Sequence, residues 1–433
     1  MKMKTAVLKE KTVILLGSTM ACAAACAVPP EISNVVLAQT GARVGTVAYA
    51  LSADAVVTVE FYTNGVFFAD AGSVDFIGDV HRKVTADAGN GNGFAFTTPC
   101  DVGDGADLTV ELKAWPLDAP PDWMVVDLIA ANTVRYYTSS DSIPGGLQDR
   151  VYRTDKLVLR KIPAKNTTFT MGLSVKDRDY ASTMIAPQEV SFSSDYYIGV
   201  WEFTKAQLHN VYPAYPYDPS QTNGLDAAET AETYPAQSLS YGQLRGNLDK
   251  TEDASALWPR DGHKVGENSV LAMIRGVCGV ELDLPTEAQW EFACHGGFTT
   301  GLGDGNEIGY IKNVVTESPT LDAIGWNIKN SGIDATSSFK CHDTGLLKPN
   351  GYGLYDMHGN VFELVLDRYV ANEVKGTLDP VGPADISITT CVRKGGHCYN
   401  DLVWYHAAFR NSQPVNSADG LYGFRVACPG TAR

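Results

Sequence analysis

Residues 349–369 read PNGYGLYDMHGNVFELVLDRY, the densest run of conformationally and chemically constrained residues in the chain. Asn350, Gly351 and Gly353 are turn formers, and Gly359-Asn360 makes a second bend at which positive φ costs little. Leu354, Tyr355 and Met357 supply apolar packing between the turns, while Asp356 and Glu363 place a carboxylate on either side of the Gly-Asn bend. Two hard oxygen donors flanking a tight turn, with carbonyls at Gly359 and Val361, form a set that suits a calcium ion. The plainer reading of the same residues is a turn and short strand with solvated acids.

The stretch resembles the signature of the formylglycine-generating enzyme, or sulfatase-modifying factor, family, whose usual form is NGYGLYDMxGNVWEW. Further segments agree in order: FTMG at 169–172, YIGVWEFT at 197–204 and LPTEAQWEFACHGG at 284–297. The chain closes on KGGHCYNDLVWYHAAFRN at 394–411 and GLYGFRVAC at 420–428, similar to the family's RGGSW…R…GFR ending. The resemblance covers roughly residues 155–430 and implies an irregular α+β domain of C-type-lectin-like fold. It also implies calcium at Asp356, Gly359, Val361 and Glu363, two through side chains and two through carbonyls, and a disulfide joining Cys294 to Cys428. Cys428 lies two residues past the position that similar members use, which in a strand keeps it on the same face.

Oxidase members hold copper(I) between two cysteines five residues apart, soft donors for a soft ion. Alignment on Gly395-Gly396 puts His397 at the family's serine, Asn400 at the first copper cysteine and Tyr405 at the second. None of the three matches, so the sequence argues against copper and leaves enzyme activity undecided. Cys398 is displaced by two positions. His397, Cys398 and His406 lie close enough in sequence to be weighed as another metal's ligands, against a reading as surface histidines and a buried or bridged cysteine.

The same segment reads as a recognition surface. Tyr399, Asn400, Asp401, Trp404, Tyr405, His406, Asn411 and Ser412 combine stiff aromatic area with adaptable hydrogen bonding on a loop. The alternative places Trp404 and Tyr405 in the core. Arg410 and Arg425, beside Phe409 and Phe424, read as buried structural groups paired to carboxylates or carbonyls.

At 433 residues the chain is too long for one ordinary core. Apolar content of 44% and a formal charge of −16 describe a globular, acidic chain and argue against a nucleic-acid partner. Residues 1–27 read as a signal peptide: Lys2, Lys4, Lys9 and Lys11 precede an apolar run from Thr12 to Ala24, and Ala25-Cys26-Ala27 fits cleavage. Lipidation at Cys22 or Cys26 is the weaker alternative. An exported protein is expected, in the periplasm, at the surface or outside the cell, with no transmembrane segment in the mature chain. Outside the leader, Cys100, Cys278, Cys294, Cys341, Cys391, Cys398 and Cys428 remain, an odd number that leaves a free thiol, with Cys100 the simplest candidate.

Residues 28–150 alternate with period two at Val47, Tyr49 and Leu51, at Val57, Val59 and Phe61, and at Leu108, Val110 and Leu112. Turn signals fall at Ser52-Ala53-Asp54, Asn64-Gly65, residues 89–93 and Gly103-Asp104-Gly105. The pattern points to an all-β, immunoglobulin- or fibronectin-like sandwich serving as a spacer or adhesion module, with His81 read as a solvated surface residue. Pro144-Gly145-Gly146 marks the boundary, Lys156 to Ile162 starts the second domain as a strand, and Tyr212 to Ser240 reads as a long surface loop. Helices are expected over 268–276 and 286–294, the latter with Thr286 as N-cap and Trp290 and Phe292 burying one side. The expected role is a calcium-stabilised scaffold for a carbohydrate or protein, with sulfatase-cysteine oxidation and a structural envelope role as alternatives.

Overall fold

The computed structural model describes residues 28–41, 43–67, 74–87, 91–98, 108–173, 184–215, 232–246, 263–307, 319–332, 341–371, 376–383, 385, 387–400 and 402–432. Residues 1–27, with Cys22 and Cys26, and also Cys100, Gly103-Asp104-Gly105 and Asp401 lie outside these. The chain divides at Asp149/Arg150 into two compact units, with Val126–Thr133 assigned to the second and the last residues from Thr431 to the first.

In the first unit, one antiparallel sheet runs Ile32–Gln39, Val44–Leu51, Asn92–Thr97, Asp75–Gly78. A second centres on Ala55–Thr63, paired with Leu108–Trp115 along one edge and Arg82–Val84 along the other. Side chains one residue apart point to opposite faces of a strand, so Val47, Tyr49 and Leu51 face inward together with Val57, Val59, Phe61, Phe94 and Phe96 in one shared core. Phe61 and Phe96 join the sheets with ring centroids 4.9 Å apart. His81 is buried, contrary to the sequence reading. Its Nδ1 lies 3.0 Å from the Tyr136 carbonyl and its ring stacks on Tyr137. Burial pushes its pKa down to about 4, against the raising effect of that carbonyl.

Among its described residues the second unit combines short strands, short helices and much irregular chain. Lys156–Ile162, Tyr196–Gly199 and Ala427–Pro429 pair antiparallel, bringing the end of the unit beside its beginning. A second sheet orders Asn411–Pro414, Thr390–Lys394, Phe362–Arg368 and Tyr422–Gly423, the last pair parallel. The helix Glu287–His295 starts where expected, because Thr286 and Gln289 form a reciprocal capping box. Trp290 is fully buried on it and Phe292 partly. The helix expected over 268–276 runs Val270–Cys278 behind the N-cap Ser269. At the described ends of the expected 212–240 loop, Tyr215, Tyr234, Ala236 and Leu239 are buried in the unit, while residues 216–231 lie outside the described residues.

Ion pairs knit the interior. Arg410 Nε donates to Glu287 at 2.7 Å and Arg245 Nε to Asp283 at 2.9 Å, all four groups buried. Burial alone would raise the Asp283 carboxyl, but Arg245 and His263 outweigh it and hold it well below the usual carboxylate range. No described helix is long and apolar enough to cross a membrane.

Candidate functional site

The Gly-Asn bend sets the geometry. Asp356, Gly359 and Asn360 take φ of 58°, 110° and 58°, and a Cβ at Gly359 would lie 2.0 Å from the Trp326 carbonyl. Glycine there is required by both conformation and space. The bend delivers Glu363 into the interior on the Phe362–Arg368 strand, where its Oε2 accepts from Arg425 Nε and from Trp290 Nε1, each at 2.6 Å. Arg425 also donates to the Gly199 carbonyl at 2.9 Å and the Tyr355 carbonyl at 3.0 Å. The expectation of two structural arginines is met by this pair and by Arg410.

A third carboxylate, Glu202, sits with them. It accepts from Asn360 Nδ2 at 2.7 Å and from the Val361 N–H at 3.1 Å. Asp356 Oδ2 accepts from the Gly345 N–H at 2.7 Å, while its Oδ1 is buried with no hydrogen-bond partner. Three buried carboxylates therefore share one buried guanidinium, Arg425. Burial, with the charges of Asp356 and Glu363, pushes Glu202 well above its ordinary range, and burial lifts Asp356 to about 6. The buried, unpartnered Asp356 carboxylate oxygen fits a divalent cation with oxygen ligands. Among the described residues no three His, Cys, Asp or Glu side chains gather as a metal cluster, so such an ion would rely on the Gly359 and Val361 carbonyls beside Asp356 and Glu363.

The C-terminal segment departs from the expected surface. Tyr405 is fully buried, and its hydroxyl donates to the His397 carbonyl at 2.7 Å and the Asn400 carbonyl at 2.8 Å. His406 is buried too; its Nδ1 accepts from the Ala408 N–H at 3.0 Å, and burial lowers its pKa to about 3. Both leave the set of surface residues, because the turn from Leu402 to Tyr405 points them into the domain. Tyr399 remains 40% exposed, and Asn400, Trp404, Asn411 and Ser412 are half-buried. Trp404 packs on Phe409 and Phe362 with centroids 4.6 and 5.9 Å away. Arg393, absent from the sequence reading, lies 4.4 Å over the Phe362 ring and 4.7 Å over Tyr422. A cation between two aromatic rings thus adjoins Trp404 through Phe362.

His397, at the family's serine position, is also largely buried, edge-on to Phe362, and its Nδ1 accepts from the Tyr399 N–H at 3.1 Å. Burial and then Arg393 lower its pKa to about 4. His397 and His406 each spend Nδ1 on a local backbone N–H, so they do not converge with Cys398 on a metal.

Cys398 meets Cys341, with sulfurs 3.9 Å apart. The sequence reading missed this pair because 57 residues separate its members. The hydrogen bond with Cys398, followed by burial, holds the Cys341 thiol well above its ordinary value. The bridge expected between Cys294 and Cys428 is not formed. Cys294 Sγ lies 3.7 Å from His358 Nε2 and 3.8 Å from the Met357 carbonyl, while Cys428 sits opposite Tyr197 in a strand pair. The described part of the structure holds no disulfide.

The chain is 33% identical over 152 residues to formylglycine-generating enzyme of Mus musculus, covering 33% of this chain and 38% of that protein. Identity to the Thermomonospora curvata enzyme of the same name is 32% over 164 residues, covering 33% and 48%. The matches thus span less than half the length of these curated relatives. Among solved structures, Treponema denticola variable protein 1 matches 63% of this chain and 95% of its own at 24% identity and a TM-score of 0.44. PvdO from Pseudomonas aeruginosa matches 63% and 94% at 17% identity and a TM-score of 0.45. Residues 160–429 match the family described as sulfatase-modifying factor enzyme 1-like domain, and with well over half its length inside that match, the chain belongs to this family.

Proposed function

We propose that this protein is a non-oxidative family member whose second unit is a calcium-stabilised scaffold, presenting Tyr399, Trp404, Arg393 and the Asn411-Ser412 edge to a carbohydrate or protein ligand. The observation that carries this reading is Tyr405. Where the family's copper cysteines would stand, the chain has Asn400 and a buried tyrosine whose hydroxyl bonds to the Asn400 and His397 carbonyls. A phenol and an amide are poor donors for copper(I). Half-exposed aromatic groups, an arginine and polar strand-edge residues make a recognition surface with rigid and adaptable parts. In this reading the protein is exported, and the first unit is an immunoglobulin- or fibronectin-like spacer.

Oxidation of a sulfatase cysteine to formylglycine is the second reading, favoured by the names of the curated relatives and by the soft-donor pair Cys341 and Cys398. One experiment separates the two. The full chain is printed against glycan and protein arrays as wild type and as Tyr399→Ala, and in parallel is given copper(I), oxygen and a peptide with a sulfatase-type cysteine. Ligand retention that falls at least about tenfold in the variant, with no aldehyde by mass spectrometry, is expected. Aldehyde formation would overturn the scaffold reading.

A further inference from the structure

Cys341 and Cys398 come from segments far apart in sequence and converge on one residue. The Cys398 N–H donates to the Asn360 carbonyl at 2.9 Å, and Cys341 Sγ lies 3.8 Å from that same oxygen. Ser331 Oγ donates to the Cys398 carbonyl at 2.7 Å, and Gln237 Nε2 donates to Cys341 Sγ, also at 2.7 Å. Two of these contacts fix the Cys398 backbone and two reach Cys341 Sγ, which sets the sulfurs 3.9 Å apart, against about 2.05 Å for a disulfide bond. The two differ in access: Cys341 is partly exposed and Cys398 is buried. Cys278 and Cys391 differ: the sulfur of the first lies 3.8 Å from the Val280 carbonyl and that of the second 3.4 Å from the cross-strand Gln413 carbonyl.

We propose that Cys341 and Cys398 are a thiol-exchange site, joined by a reversible disulfide that fastens the 341–342 segment to the loop carrying Tyr399. The oxidant is a small-molecule or protein disulfide. The Cys341 thiolate attacks one of its sulfurs, forming a mixed disulfide and releasing one thiolate. The Cys398 thiolate then attacks Cys341 Sγ, closing the intramolecular bond and releasing the second. Two protein thiols lose two electrons and two protons, and one external disulfide is reduced to two thiols. The order follows from access, because Cys341 is the less buried residue of the two and meets the oxidant, while the buried Cys398 resolves the adduct. This inference stands apart from the recognition reading, since the bond forms whatever the loop binds.

The test incubates the full-length native protein, stripped of metal, with glutathione disulfide, blocks residual thiols with iodoacetamide, and digests it without reduction. The expected product is one cross-linked species joining the Cys341 and Cys398 peptides, two hydrogens lighter than their sum. It should vanish with dithiothreitol and be absent from Cys341→Ser and Cys398→Ser. The linked wild type should also unfold at a higher temperature than its reduced form, which shows that the bond closes in the native fold. Alkylated Cys341 and Cys398, glutathione retained on Cys341, or bonds made to other cysteines would each overturn the proposal.

Discussion

Arg425 and Glu363 form a doubly hydrogen-bonded pair sealed from solvent, with Nε to Oε2 at 2.6 Å and Nη2 to Oε1 at 2.5 Å. The pair joins the closing GFR segment to the signature bend, so its worth lies less in Coulomb energy than in what each charge becomes alone. Arg425→Met leaves Glu363 buried with Trp290 as its remaining side-chain donor and is expected to cost about 3–5 kcal/mol in urea unfolding. The double variant Arg425→Met/Glu363→Gln should regain part of that loss. A single variant as stable as wild type would show that the carboxylate has another counter-charge.

In the proposed function calcium is held by Asp356 and Glu363 with the Gly359 and Val361 carbonyls, while Arg425 remains the partner of Glu363. Chelation should then lower Tm, and added calcium should restore it, by about 2.7 kcal/mol at a hundredfold excess over Kd. Asp356→Asn tests the same ligand set, because asparagine tolerates the φ of 58° at this position. The variant should lose most of the calcium-dependent shift in scanning calorimetry. A wild-type Tm that ignores both chelator and calcium would remove the ion from the description.

Gly396 takes a φ of 77°, and a Cβ there would lie 2.8 Å from Tyr405 Cδ1. Gly396→Ala meets both backbone strain and a fully buried ring. A loss of about 1–3 kcal/mol is expected, read as a lower urea midpoint. Gly420→Ala is the control, with Ser238 Oγ at 4.0 Å as its nearest neighbour, and should change stability by no more than about 0.5 kcal/mol.

His81 gives the first unit an acid limit. Its folded pKa of about 4 lies below the ordinary 6.5, so the neutral ring is the form that the fold favours. The associated stability is fully present above pH 6.5, is lost as pH falls toward 4, and amounts to about 3 kcal/mol. His81→Asn, which also tolerates positive φ, should flatten the dependence of urea midpoints on pH across that window. An unchanged slope would assign the acid sensitivity to other groups.

Local signals were legible in the sequence. Thr286 and Gln289 announce a helix start because a capping box needs only residues three apart, and Val47, Tyr49 and Leu51 declare an inward face through period two. The two structural arginines were legible through motifs whose members sit side by side. What escaped was set by partners far along the chain. His81 looked solvated beside Arg82 and Lys83, yet Tyr136 and Tyr137 cover it. Glu202 lay unremarked inside a quoted segment, because its role depends on Asn360, 158 residues away. Tyr405 and His406 carried no mark distinguishing interior from surface, since alternation fails in a short 3-10 turn.

Asn360 has one further implication. Its side chain donates to Glu202 and accepts from the His342 N–H, and its carbonyl accepts from Cys398. Three segments thus depend on one amide planted at a bend, and none of them can satisfy its polar groups before the others arrive. A chain nicked between residues 202 and 342 should hold together as a non-covalent complex and, once unfolded, reassemble only when both fragments are present. The second-unit part of either fragment alone would be deprived of a buried partner and should be protease-sensitive, while the first unit, with a core of its own, should stay folded.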